Sequence, residues 1–191
     1  MSVAPADIGA PAGELTDAER QALLRAARES IAAHLHARRP ALPAPTGALA
    51  EHRGAFVTLH GGDGELRGCV GLMRSDRPLL ETVARMAVAA AVEDGRFEPV
   101  TEAELDGLSI EVSALSPLAP IRPEDVEVRR HGLLIGHGGR RGVLLPQVPG
   151  EHGWDRETFL VQTCRKAGLP EDAWKKPGVE LLAFTADVFK E

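Results

Sequence analysis

The hydrophobic positions of this chain repeat with two periods, and the switches between them mark its elements. Leu24, Ala27, Ile31 and Leu35 recur at helical spacing with arginines between them, the pattern of an amphipathic helix. Thr16-Asp17-Ala18-Glu19 ahead of that stripe has capping-box form, and Pro40 is its expected stop. Over residues 54–71 the period drops to two. Ala55, Val57 and Leu59 alternate with Phe56, Thr58 and His60, Gly61-Gly62-Asp63-Gly64 supplies a turn, and Glu65 to Val70 returns. A symmetric turn sets His60 opposite Glu65, Thr58 opposite Arg67 and Phe56 opposite Cys69. Ala55, Val57, Leu59, Leu66 and Val70 then share a core face, with His60, Thr58, Glu65, Arg67 and Cys69 on the other. A one-residue slip reverses the faces.

A second helix is expected from Pro78, with Leu80, Val83, Ala87 and Ala90 on one face and Gly95 as its stop. Leu108, Ile110, Val112 and Ala114 alternate as a half-buried strand. Leu133-Leu134-Ile135 and Val143-Leu144-Leu145 flank a glycine-rich turn and read as a second hairpin. Asp155 is the expected N-cap of a helix to Ala167, with Gly168 beyond its end. Val179 to Phe189 is apolar on both faces, which predicts one strand covered on both sides. Hairpins interspersed with helices indicate an α+β fold with a mainly antiparallel sheet flanked by helices. Residues 1–14, rich in Ala, Pro and Gly, are expected to be a disordered lead-in to a single domain over 15–191.

Composition narrows the function classes. The net charge of −6 disfavours a polyanionic partner, so nucleic acid is not the expected ligand, and Arg140 and Arg141 alone are weak evidence for one. No run approaches the ~18–20 apolar residues of a membrane span, and no basic segment precedes a hydrophobic one at the N-terminus. Two distant cysteines do not make a disulfide framework. The cytoplasm is the simplest address.

The candidate chemistry lies in Arg67-Gly68-Cys69-Val70-Gly71. Thiolate is the nucleophilic form of cysteine, and a nearby cation favours it. Arg67, two residues away on one strand, is expected on the same face as Cys69. The competing reading is a small buried hydrophobe. Gly68 and Gly71 mark either a flat ligand surface or close helix-on-sheet packing. With Phe56 opposite Cys69, His60 lies well over ~10 Å away along the hairpin, leaving no local base and making His152 the most obvious distant one. Glu151, His152 and Trp154 put a carboxylate, an imidazole and an aromatic ring on one loop, a second candidate binding cluster; its bland reading is a connector with Trp154 as a packing plug. Cys164, on the apolar side of its helix, is expected in the core. The histidines show no zinc-ligand spacing, and Gly136 to Gly142 lacks the strand-to-helix context and lysine of a phosphate loop. Neither a metal nor a cofactor is expected.

Leu66-Arg67-Gly68-Cys69-Val70-Gly71 resembles the hallmark hexapeptide of the AMMECR family. The likeness continues through Arg96-Phe97-Glu98-Pro99-Val100, Ile110-Glu111-Val112-Ser113, Leu115-Ser116-Pro117, Arg141 to Gln147 and Trp154 to Pro170. The chain looks most like the family's bacterial AmmeMemoRadiSam branch. That resemblance implies a cytosolic α+β fold with a larger and a smaller lobe and a groove between them. It also implies genomic association with a Memo-like and a radical SAM protein, and it carries no established reaction. One departure is Glu93-Asp94-Gly95-Arg96-Phe97, where relatives often have a proline before the Arg-Phe pair.

Overall fold

A computed structural model describes residues 15–191; the expected lead-in, 1–14, lies outside the described residues. In chain order the helices are α1 (Asp17–Leu35), α2 (Leu79–Val92), α3 (Val148–Glu151) and α4 (Arg156–Lys166). The strands are β1 (Ala55–His60), β2 (Leu66–Leu72), β3 (Ser109–Leu115), β4 (Ala119–Pro120), β5 (Gly132–His137), β6 (Arg140–Leu144), β7 (Glu180–Phe184) and β8 (Ala186–Lys190). They form two four-stranded sheets, and the fold is α+β. The described chain divides into two compact units. One comprises 15–115 with Asp187–Glu191, and the other is Ser116–Ala186.

In the first unit the strands run in the order β2-β1-β3-β8. β2 and β3 both pair antiparallel to β1, and α2 makes the connection between them, packing on β1 and β2. Ala55, Val57, Leu59, Ile110, Val112 and Ala114 point inward with Leu79, Leu80, Val83 and Ala87 of α2 and Leu24, Ala27 and Ile31 of α1. Burying each large apolar side chain contributes about 1.5–3 kcal/mol, so this two-layer core dominates the unit's stability. α1 starts at the expected capping box: Thr16 takes the Glu19 amide and Glu19 takes that of Thr16. It ends before Pro40, however. Ala37 adopts a left-handed φ of 51°, and the Ala37 and Arg38 amides return to His34 and Ala33, a Schellman closure without glycine.

The first hairpin closes differently from expectation. Gly61 donates to the Glu65 carbonyl, so the loop takes one more residue and His60 pairs with Leu66. A β-bulge then absorbs Arg67, and Leu59 pairs with Gly68. The two single-residue shifts add up: Thr58 faces Cys69 and Phe56 faces Gly71. An even shift preserves the faces, so Cys69 stays opposite the core. Leu66, expected inside, is 40% exposed because it lies beyond the bulge.

In the second unit the order is β4-β7-β5-β6, with every pair antiparallel. α4 packs on β5 and β6, capped by Asp155 accepting from the Thr158 amide. The expected single strand over Val179 to Phe189 is two strands. At Thr185 the chain leaves the second sheet, where its amide and carbonyl meet the Ser116 hydroxyl and amide. β8 then joins the first. The segment reads as apolar on both sides because its halves serve different sheets.

Candidate functional site

Cys69 occupies edge strand β2, on the face opposite the core. In an antiparallel ladder, side chains approach most closely at pairs that exchange no backbone hydrogen bonds. Cys69 and Thr58 form such a pair, and the Thr58 hydroxyl donates to Cys69 Sγ at 3.2 Å. The Cys69 amide, turned away from β1, donates to Asp94 Oδ2 at 2.8 Å, and Arg96 reaches the Cys69 carbonyl at 3.4 Å. Arg96 and Asp94 also pair with each other at 2.7 Å. Together they occupy the open edge as a neighbouring strand would. The Arg96 guanidinium, with the Cys69 amide second, holds the Asp94 carboxyl far below the usual carboxylate range.

Arg67 does something other than accompany the thiol. Its guanidinium donates to Glu104 at 2.8 Å and to the carbonyls of Glu98 and Pro99 at 2.7 and 3.3 Å. Arg67, followed by the Thr101 amide and hydroxyl, lowers the Glu104 carboxyl to about 2. All four Arg67 bonds tie the segment after α2 to β2, so the cation beside Cys69 is Arg96.

The glycines are explained by close approach. A Cβ at Gly68 would lie 2.1 Å from the Ala90 carbonyl oxygen of α2, and one at Gly71 would lie 2.2 Å from the Phe56 ring. Gly68 lets the helix sit on the sheet, and Gly71 accommodates a ring from the neighbouring strand.

The corrected register also brings in residues that the symmetric hairpin kept apart. β1 and β3 pair so that Thr58 faces Glu111, His60 faces Ser109 and Phe56 faces Ser113. Cys69, Thr58 and Glu111 therefore form one cross-strand row, and His60 is only two residues from Thr58 on that face. Thr58 and His60 were visible in the sequence but assigned to the wrong partners. Asp94 and Arg96 lie after a helix end, where periodicity gives no signal.

Glu151, His152 and Trp154 lie in the other unit. Glu151 ends the single turn of α3 and is exposed, His152 follows it, and Gly153 turns with φ 65°. The His152 ring stacks on Trp154, centroids 4.7 Å apart, while Trp154 packs against the cluster containing Ile121, Phe159 and Leu160. Arg140 bonds the Gly168 carbonyl and Arg141 lies 4.0 Å from Glu180, so both arginines have partners within their unit. Cys164 is fully buried, and burial pushes its thiol pKa up, an inert environment. Among the described residues no group of three or more His, Cys, Asp or Glu is arranged to hold a metal ion, and no helix is long and apolar enough to cross a membrane.

These features define a class: two-unit α+β proteins whose first sheet carries an Arg-Gly-Cys edge strand under a crossing helix. The model of the AMMECR1 family matches residues 24–189. Protein MK0488 of Methanopyrus kandleri is 42% identical over 188 residues, covering 93% of this chain and 91% of its own length. Protein TK0174 of Thermococcus kodakarensis is 44% identical over 182 residues, 88% of each chain. The crystal structure of the uncharacterized protein PH0010 from Pyrococcus horikoshii superposes with a TM-score of 0.72 at 40% identity, covering 88% of this chain and 89% of that one. This chain belongs to the AMMECR1 family.

Proposed function

We propose that this chain is the substrate- or partner-binding component of a cytoplasmic three-part modification system with Memo-like and radical SAM proteins, and that it acts through the Cys69 surface. The partners come from the resemblance to the bacterial AmmeMemoRadiSam branch. One observation supports the surface: Cys69 is a half-buried thiol on the non-core face of an edge strand, bonded at Sγ by Thr58 and along its backbone by Asp94 and Arg96. A purely structural cysteine is better served by the environment of Cys164. The test mixes the purified chain with purified Memo-like and radical SAM proteins encoded in the same genome and measures binding by interferometry. Binding of at least one partner, blocked when Cys69 is alkylated, is expected; absence of binding to both would remove the three-part assignment.

A second reading is a non-enzymatic scaffold, favoured by how Gly68 and Gly71 are filled from within the fold. On that reading Cys69→Ala keeps partner binding while bulky substitutions at Gly68 or Gly71 abolish it. Loss of function in Cys69→Ala, with fold and binding intact, would exclude it.

A further inference from the structure

Cys69, His60 and Glu111 stand on three adjacent strands and one face. Thr58 lies at their centre, opposite Cys69 on β2 and opposite Glu111 on β3. His60, two residues along β1 from Thr58, is thus a diagonal neighbour of Glu111 and, across the bulge that absorbs Arg67, of Cys69. Such neighbours are about 7–8 Å apart in a sheet, a span that aromatic and long side chains bridge. All three residues are half-buried. Among the described residues neither the His60 ring nor the Glu111 carboxylate has a hydrogen-bond or ion-pair partner, so neither is committed to holding the fold. The charged groups on elements adjoining His60 are Glu111 on β3, Asp63 and Glu65 in the hairpin turn, and Arg67 on β2, which is committed to Glu104.

We infer that Cys69, His60 and Glu111 form a nucleophile, a proton acceptor and its positioning carboxylate, and that their substrate is an activated acyl compound, an ester or thioester. This deepens the Cys69 reading above and rests on it. His60 takes the thiol proton as Sγ bonds to the acyl carbon. The tetrahedral adduct collapses with loss of the C–O or C–S bond to the leaving group, which receives the proton from His60. The acyl group is then a thioester on Cys69, and water, deprotonated by the same imidazole, releases it as the acid and restores the thiol. Thr58, already donating to Sγ, steadies the developing thiolate. Glu111 acts through His60 by orienting the imidazole.

The test uses p-nitrophenyl acetate with the full chain, following p-nitrophenolate release and locating the acetyl group by peptide mass. Wild type is expected to give a burst of about one equivalent with acetyl on Cys69, and Cys69→Ala none. His60→Gln should slow the burst at least about tenfold near neutral pH. It should approach wild type at about pH 10, where hydroxide replaces the imidazole as the base. Glu111→Gln should slow the burst severalfold and alter its pH profile, with partial rescue by Glu111→Asp. Circular dichroism checks that each variant folds. Equal bursts in wild type and His60→Gln at every pH would overturn the three-residue set while leaving the Cys69 surface intact. No burst in wild type would overturn the acyl chemistry. Partner binding, measured separately, decides the broader reading.

Discussion

At Cys69 the decisive distances are those of its immediate neighbours. The hydroxyl of Thr58 is the group nearest to change. Thr58→Val keeps a β-branched residue in the strand and removes the donor to Sγ. It should slow Cys69 alkylation a few-fold near neutral pH while changing stability by about 1 kcal/mol or less; an unchanged alkylation rate would show that the hydroxyl does not act on the sulfur. Gly68 makes the opposite prediction, large in stability. A methyl group there meets the α2 backbone at 2.1 Å, which cannot rotate aside. Gly68→Ala should cost about 1–3 kcal/mol, read as a lowered urea midpoint with an unchanged slope. Gly71→Ala should also destabilise, because a methyl there meets both the Phe56 ring and the Ala55 carbonyl oxygen of β1.

Among the elements, β2 and the segment behind α2 behave as one piece. Arg67→Gln removes most of the bonds to Glu98, Pro99 and Glu104. It should cost about 1–3 kcal/mol and raise amide exchange over residues 94–105. The same joint gives a pH dependence. Glu104 is depressed from 4.5 to about 2 in the folded chain, chiefly by Arg67. Its contribution is therefore complete above about 4.5 and is lost as pH falls through about 2. Protection factors for 98–105 should drop over that window in wild type but not in Glu104→Gln; a flat profile in wild type would contradict the assignment. The elements themselves were legible from periodicity and caps, as α1, the first hairpin and α4 show. The register was not, because it depended on where the loop closed and on the Arg67 bulge, neither of which is marked in the hydrophobic pattern of the sequence. A two-residue error left the face of Cys69 correct, misplaced Leu66 beyond the bulge, and still removed His60 from the neighbourhood of Cys69. The left-handed Ala37 was equally invisible without a glycine to mark it.

For the whole molecule, the last residues of the chain complete the unit built from its first. Arg20 bonds Asp187, Arg28 bonds Glu191, and the Glu191 amide reaches the Ile110 carbonyl. Ending the chain after Ala186 should expose the β3 edge and raise amide exchange in β3 and α1, with the Ser116–Ala186 unit retaining its protection. Uniform loss of protection throughout would show that the two units do not unfold separately. Family membership accounts for the fold, and the chemistry depends on whether the Cys69 face is open. The most direct measurement is iodoacetamide labelling of the folded chain near neutral pH, mapped by peptide mass. Labelling is expected at Cys69, with Cys164 protected until denaturant is added. Protection of both cysteines until unfolding would contradict it.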